Sequence, residues 1–255
     1  MTYCLGIAVD RGLVFVSDSR TNAGADQIGT YSKMHRFCLE GERSFALLAA
    51  GNLATTQSVV AQIEQDIESR ASESLMVAET LDDAADYVGR VCVRKAEQAR
   101  DRVQRGSGGF VPEASFILGG EIRGGRADIA HIYPEGNFVH ASATMPFLQI
   151  GEVKYGKPIL DRIIQPDTSI RDALKAALVS MDSTMRSNAT VGPPVECFIY
   201  RAGSLSEGRH LLFDEHHEYL LTVRRMWAEH LRQAFDSLPD VPGAEESVPA
   251  VTRLR

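Results

Sequence analysis

The sequence has no long apolar run, no dense basic stretch and no closely spaced cysteine pair, and each absence removes a class of function. The first apolar segment, Tyr3 to Val9, is broken by Asp10 and Arg11. It is too short and too early for a signal peptide or a spanning helix, so a cytoplasmic protein with no membrane partner is expected. Lys and Arg total 27 against 34 Asp and Glu, a net charge of -7. With no cluster of cations to neutralise a phosphate backbone, nucleic acid is not an expected partner. Cys4, Cys38, Cys92 and Cys197 lie far apart, which argues against a disulfide framework or a zinc site. They read as buried small hydrophobes, and no cofactor or metal is expected. No segment repeats at a fixed period and no low-complexity linker divides the 255 residues. One domain over residues 1–237 and a flexible tail over 238–255 are expected.

What is present is a globular composition, 44% hydrophobic and 24% charged, sufficient for a sizeable core. Thr2–Val9 and Leu13–Ser17 read as a hairpin around Asp10-Arg11-Gly12, and His35–Leu39 with Ser44–Ala50 as a second. Asp18–Gly29 between them reads as a polar segment. A helix capped by Asn52 or Thr55 runs to Arg70, and apolar residues from Leu81 to Val103 recur at helical spacing up to Gly106-Ser107-Gly108-Gly109. Glu113–Leu118, Ala127–Tyr133 and Phe138–Ser142 return as strands; Tyr155–Ile164 and Ile170–Met185 are helical. Val195–Tyr200, Leu211–Phe213 and Tyr219–Leu221 read as short strands before a last helix from Val223 to Phe235. This order suits an α+β fold in which two sheets pack face to face between helix pairs, a four-layer αββα sandwich.

Thr2 stands where an initiator methionine is normally removed, because methionine aminopeptidases accept small second residues. Loss of Met1 would leave the threonine hydroxyl beside a free α-amine, whose ordinary pKa of about 7.7–8.0 lets it take a proton near neutral pH. One residue would then supply both nucleophile and base. Asp18 ends the second strand in Ser17-Asp18-Ser19-Arg20, and Lys33 precedes the third in Ser32-Lys33-Met34. A strand ending in aspartate beside a strand starting at Thr2 can bring the carboxylate to residue 2. A lysine there would disfavour the charged amine and lower the pKa of the hydroxyl, while the aspartate holds it. The same two residues also read as an ordinary solvated ion pair, and Met-Thr is a common beginning.

Thr2-Tyr3-Cys4-Leu5-Gly6, Asp18-Ser19-Arg20-Thr21-Asn22-Ala23-Gly24 and Lys33-Met34 together resemble the proteasome β-subunit family. Within it they are most similar to the bacterial Anbu branch (ancestral β-subunit), related to HslV, and the likeness in element order runs from Thr2 to about Phe235. The resemblance implies a threonine protease of the N-terminal-nucleophile (Ntn) hydrolase type, acting on a peptide or small amide. Thr2 would be the nucleophile, with Asp18 and Lys33 in support. It further implies that Arg20 shapes the site and that Gly51, in Ala49-Ala50-Gly51-Asn52, offers a backbone N–H to an oxyanion at a helix start. Self-association into a ring or spiral homo-oligomer is implied too, with any unfoldase a separate protein.

Two segments depart from the family pattern. Where a Gly-Ser-Gly is usual, this chain has Gly151-Glu152-Val153, and the later Arg-Asp…Ser-Gly-Gly pattern becomes Ser187-Asn188-Ala189-Thr190-Val191-Gly192-Pro193-Pro194, with Asn188 in place of an aspartate. These changes motivate a second reading, a self-assembling scaffold that kept the fold and is catalytically weak or inactive.

Other motifs carry less. Gly151–Pro158 fits G-x-x-x-x-G-K but places proline where a phosphate loop needs a hydroxyl, so its glycines read as turn and packing residues. Asp214-Glu215-His216-His217-Glu218 lacks metal-ligand spacing and reads as a solvated turn. Cys4 would be the nucleophile only if three residues were trimmed rather than one. The stripe Val223, Met226, Trp227, Leu231, Ala234 and Phe235 reads chiefly as a core face, with a partner-binding face as the alternative.

Overall fold

Alternation along the strands dictates the layering. The computed structural model describes residues 1–22, 28–103 and 111–242. One sheet runs β10-β1-β2-β11-β12, from Phe147–Gly151, Tyr3–Val9, Gly12–Asp18, Val195–Arg201 and Arg209–Phe213. The other runs β5-β6-β7-β8-β9, from Met34–Leu39, Arg43–Gly51, Ala114–Ile122, Asp128–Ile132 and Phe138–His140. All ladders in both sheets are antiparallel. In β1, Tyr3, Leu5, Ile7 and Val9 face one way and Cys4 the other, as a two-residue period requires. Cys4, Phe15, Leu48, Ile117 and Phe198 meet between the sheets. Outside the second sheet lie α1 (Leu53–Glu68) and α2 (Leu81–Val103), burying Val59, Ile63, Val88 and Cys92 against Leu47, Phe116 and Leu118. Outside the first lie α3 (Lys157–Ile163) and α4 (Ile170–Ser187), burying Leu160, Ala177 and Met181 against Leu5, Val16 and Cys197. The result is the expected four-layer αββα sandwich.

Caps set the helix starts. Asn52, rather than Thr55, caps α1 by accepting from the Thr55 N–H over 3.2 Å, and Ser169 accepts from Asp172 N–H over 3.1 Å at α4. The short apolar run Tyr219–Leu221 is helix, not strand: α5 spans Glu218–Asp236, with His217 as its cap accepting from Tyr219 N–H over 3.2 Å. Three apolar residues do not distinguish a strand from a first helical turn. The polar segment after Asp18 forms a two-stranded ribbon, β3 (Arg20–Asn22) against β4 (Ile28–Thr30).

The apolar stripe of α5 does not cover the core. Leu220 is buried, whereas Met226, Leu231 and Phe235 are 45%, 56% and 71% exposed. Arg224 Nε, bonded to Asp182 Oδ1 at 2.7 Å, ties α5 to α4 and leaves the stripe facing outward. Gly106–Gly109 and residues 243–255 of the expected tail lie outside the described residues. Among the described residues, no helix is long and apolar enough to cross a membrane.

Candidate active site

The β1–β2 register brings Asp18 to residue 2. Cys4 pairs with Ser17 in that ladder, so one step further Tyr3 meets Asp18. Tyr3 N–H donates to Asp18 Oδ1 over 2.9 Å. On the other flank, β10 pairs Tyr3 with Gly151, and the Glu152 N–H donates to Thr2 O over 2.8 Å. Thr2 C=O and Tyr3 N–H belong to one peptide group. That group is therefore held from both sides, by Glu152 and by Asp18, which fixes the Cα of Thr2.

Asp18 is 0% and Lys33 6% exposed, so the pair is buried rather than solvated. Lys33 Nζ lies 2.7 Å from Asp18 Oδ1 and donates a second bond to the Arg20 carbonyl over 2.8 Å. Asp18 Oδ2 accepts from Gly192 N–H at 3.3 Å. Burial pushes the Asp18 carboxyl above its ordinary value, while the Lys33 ammonium and the Tyr3 and Gly192 N–H groups pull against that rise. An ion pair out of water persists only where such bonds satisfy its remaining atoms.

Arg20 works through the segment after α4. Its Nη1 donates to Ala189 O over 2.9 Å, and its guanidinium lies over Gly192, where an added Cβ would stand 2.3 Å from Cζ. The same segment reaches Glu152. Asn188 Nδ2 donates to Glu152 Oε2 over 2.9 Å, and Asn188 Oδ1 accepts from Thr190 N–H at 3.0 Å, which fixes the amide's orientation. A circuit thus runs from Thr2 O through Glu152, Asn188, Ala189, Arg20, Lys33 and Asp18 to Tyr3 N–H. The sequence marks Glu152 and Asn188 only as departures from a pattern; their bond, across 36 residues, has no local signal.

Gly51 ends β6 with φ +116, and a Cβ there would stand 2.4 Å from Glu113 O, so glycine is required at this strand-to-helix corner. Cys4 Sγ donates to Ala49 O at 3.6 Å, which sets the end of β6 beside the start of β1. Cys4 is fully buried and burial pushes its thiol far up, opposite to what a nucleophile needs. A buried carboxylate not singled out from the sequence, Glu196, accepts from Ser19 Oγ at 2.9 Å and lies 3.2 Å from His210 Nε2.

The remaining motifs have structural uses. Gly151 turns with φ +85, where a Cβ would stand 2.0 Å from Thr2 O, and Lys157 pairs with Asp161 at 2.5 Å on α3. His216 N–H bonds Asp214 Oδ1 at 2.9 Å in the turn before α5. Among the described residues, no group of three or more His, Cys, Asp or Glu could hold a metal ion.

No family model and no curated protein matches the chain. Solved structures do. Anbu from Yersinia bercovieri is 40% identical over 94% of this chain and 98% of its own, with a TM-score of 0.85. A structure described as the helical assembly of the Anbu complex from Pseudomonas aeruginosa is 42% identical over 95% and 99%, with a TM-score of 0.88. An Anbu Gly-1 mutant from Hyphomicrobium sp. strain MC1 is 39% identical over 94% and 99%, with a TM-score of 0.87. With the shared sandwich and this identity along nearly the whole of both chains, the protein belongs to the Anbu (ancestral β-subunit) family of proteasome-like proteins.

Proposed function

We propose that this chain is a threonine-type hydrolase of peptide or small-amide bonds, acting through Thr2 once Met1 is removed. The observation that carries the reading is the grip of Asp18, itself paired at 2.7 Å with Lys33, on the peptide that follows Thr2. The Thr2 hydroxyl attacks the substrate carbonyl and its proton passes to the α-amine. Lys33, whose ammonium is bonded to the carboxylate that grips the Thr2–Tyr3 peptide, favours the alkoxide that develops, and the Gly51 N–H at the end of β6 receives the oxyanion. The tetrahedral intermediate expels the amine product, which takes a proton from the α-ammonium, and water then releases the acyl group. Arg20 shapes the wall by holding Ala189 and Gly192 in place.

A threonine-directed epoxyketone tests this. The wild-type chain should be labelled at Thr2, and Thr2→Ala should abolish the label. Label that persists in Thr2→Ala at Cys4 would move the nucleophile, and a wild-type chain that takes no label contradicts the reading. A second reading, a scaffold with little turnover, is favoured by a buried glutamate, Glu152, on the segment whose backbone pairs with Thr2. Both readings include self-association into a ring or spiral. The outward apolar stripe of α5 supports that, as does the helical assembly described for the Pseudomonas aeruginosa protein.

A further inference from the structure

Glu152, whose backbone pairs with Thr2, carries a buried carboxylate that the steps above leave unused. It is 6% exposed, and the bond from its N–H to Thr2 O continues the β1–β10 ladder by one rung, so that it stands opposite Thr2. Its loop is held firmly. Gln149 Nε2 donates to Tyr3 OH at 2.5 Å and to Val153 O at 3.4 Å, and Asn188 anchors Oε2. Asn188 is neutral and cannot discharge it.

The surrounding charges are unequal. The Lys33 ammonium is met at 2.7 Å by Asp18, and Arg20 is turned to Ala189 O. Glu196 faces Ser19 and His210, and burial lowers the pKa of His35 nearby. From α4, Asp182 is held by Arg224. Among the described residues the cation within 4 Å of Glu152 is Lys154, 3.5 Å from Oε1 but 67% exposed and screened by water. Among the described residues, the buried Glu152 carboxylate thus has an exposed cation as its partner, where Asp18 has a buried one.

We propose that the Glu152 carboxylate, braced by Asn188, is the counter-charge of the α-amine that Met1 removal creates at Thr2, so that this amine binds its proton more tightly than an ordinary chain terminus. The inference rests on the proposed function, since it needs that free amine. Glu152 is a positioning residue whose charge opposes that of Lys33. Its consequence is a nucleophile that is switched on in the alkaline range, because below it the amine is already protonated and cannot act as base.

Periodate tests this without turnover. It cleaves the Cα–Cβ bond of an N-terminal threonine when the amine is unprotonated, releasing acetaldehyde as periodate is reduced to iodate; the imine left on the chain hydrolyses to ammonia and a glyoxylyl group that intact mass reads directly. The rate against pH in the full chain should give a midpoint above the ordinary terminus value of about 8. Glu152→Gln should lower it by about one unit, the scale expected for removing one adjacent opposite charge. Glu152→Asp, which keeps the charge, should restore most of the shift and also guards against a folding defect in Glu152→Gln. Equal midpoints in wild type and Glu152→Gln would overturn the inference and leave the proposed function standing. Absence of any oxidation in the wild type would show that no free Thr2 amine exists, and both would fall.

Discussion

Lys33→Met strands a carboxylate. Asp18 is 0% exposed, and without Lys33 its partners among the described residues are the N–H groups of Tyr3 and Gly192. Breaking a buried pair by removing one partner costs about 3–5 kcal/mol, most of it the uncompensated charge. A chain of 255 residues unfolds with an entropy of about 0.5 kcal/mol per kelvin near its midpoint, so each kcal/mol moves Tm by about 2 °C. Thermal denaturation at pH 7 should therefore show a loss of roughly 6–10 °C. The sign of the pH dependence follows. Asp18 is already raised by burial, and loss of the ammonium raises it further. A carboxyl whose folded value exceeds its unfolded one stabilises below the unfolded value and loses that contribution as pH rises, so the deficit of the variant should shrink toward about pH 4. Asp18→Leu with Lys33→Met should recover at least half of the loss, because neither charge then remains buried. A Tm change under about 2 °C in the single variant, or no recovery in the double one, would refute the argument that this pair is a desolvated one.

Three other outcomes follow from particular contacts. Gly151→Ala forces a Cβ to 2.0 Å from Thr2 O at φ +85, so it should abolish epoxyketone labelling at Thr2 and lower stability by roughly 1–3 kcal/mol in urea melts; wild-type labelling would contradict the clamp. His35 and His131 are both lowered by burial, and a base depressed in the fold stabilises above its unfolded value and loses that as pH falls. Stability should therefore drop between about pH 7 and pH 5, and His35→Gln with His131→Gln should flatten the slope; an unchanged slope assigns it elsewhere. Leu231→Glu with Phe235→Glu should leave the circular dichroism unchanged, since both side chains are exposed, and should shift light-scattering mass toward the monomer; an unchanged mass removes α5 from the interface.

The fold was legible where burial writes a period. The stripe of α4 answers to one apolar layer on one side, whereas β1 and β2 are buried on both faces, Leu13 and Phe15 between the sheets and Val14 and Val16 under the helices, and their short apolar runs mark them as strands. Tyr219–Leu221 misleads because three apolar residues carry no period, and the ribbon of β3 and β4 is hidden because Asn22 and Gly29 lie within its strands, residue types that ordinarily mark turns. The stripe of α5 has the pattern of a core helix and none of the burial, since amphipathicity records that a face needs covering and not what covers it. In the site, Thr2, Asp18 and Lys33 stand at strand ends and can be placed from sequence. The bonds from Glu152 to Asn188 and from Arg20 to Ala189 join segments 36 and 169 residues apart and exist only in the fold.

The central claim is that Thr2 is a free N-terminal nucleophile, and intact mass of the wild-type chain before and after treatment with a β-lactone tests it most directly. The account predicts a starting mass lacking Met1 and a single acyl addition mapped to Thr2. A chain that retains Met1, or one that lacks it and takes no acyl group while still folded, contradicts it.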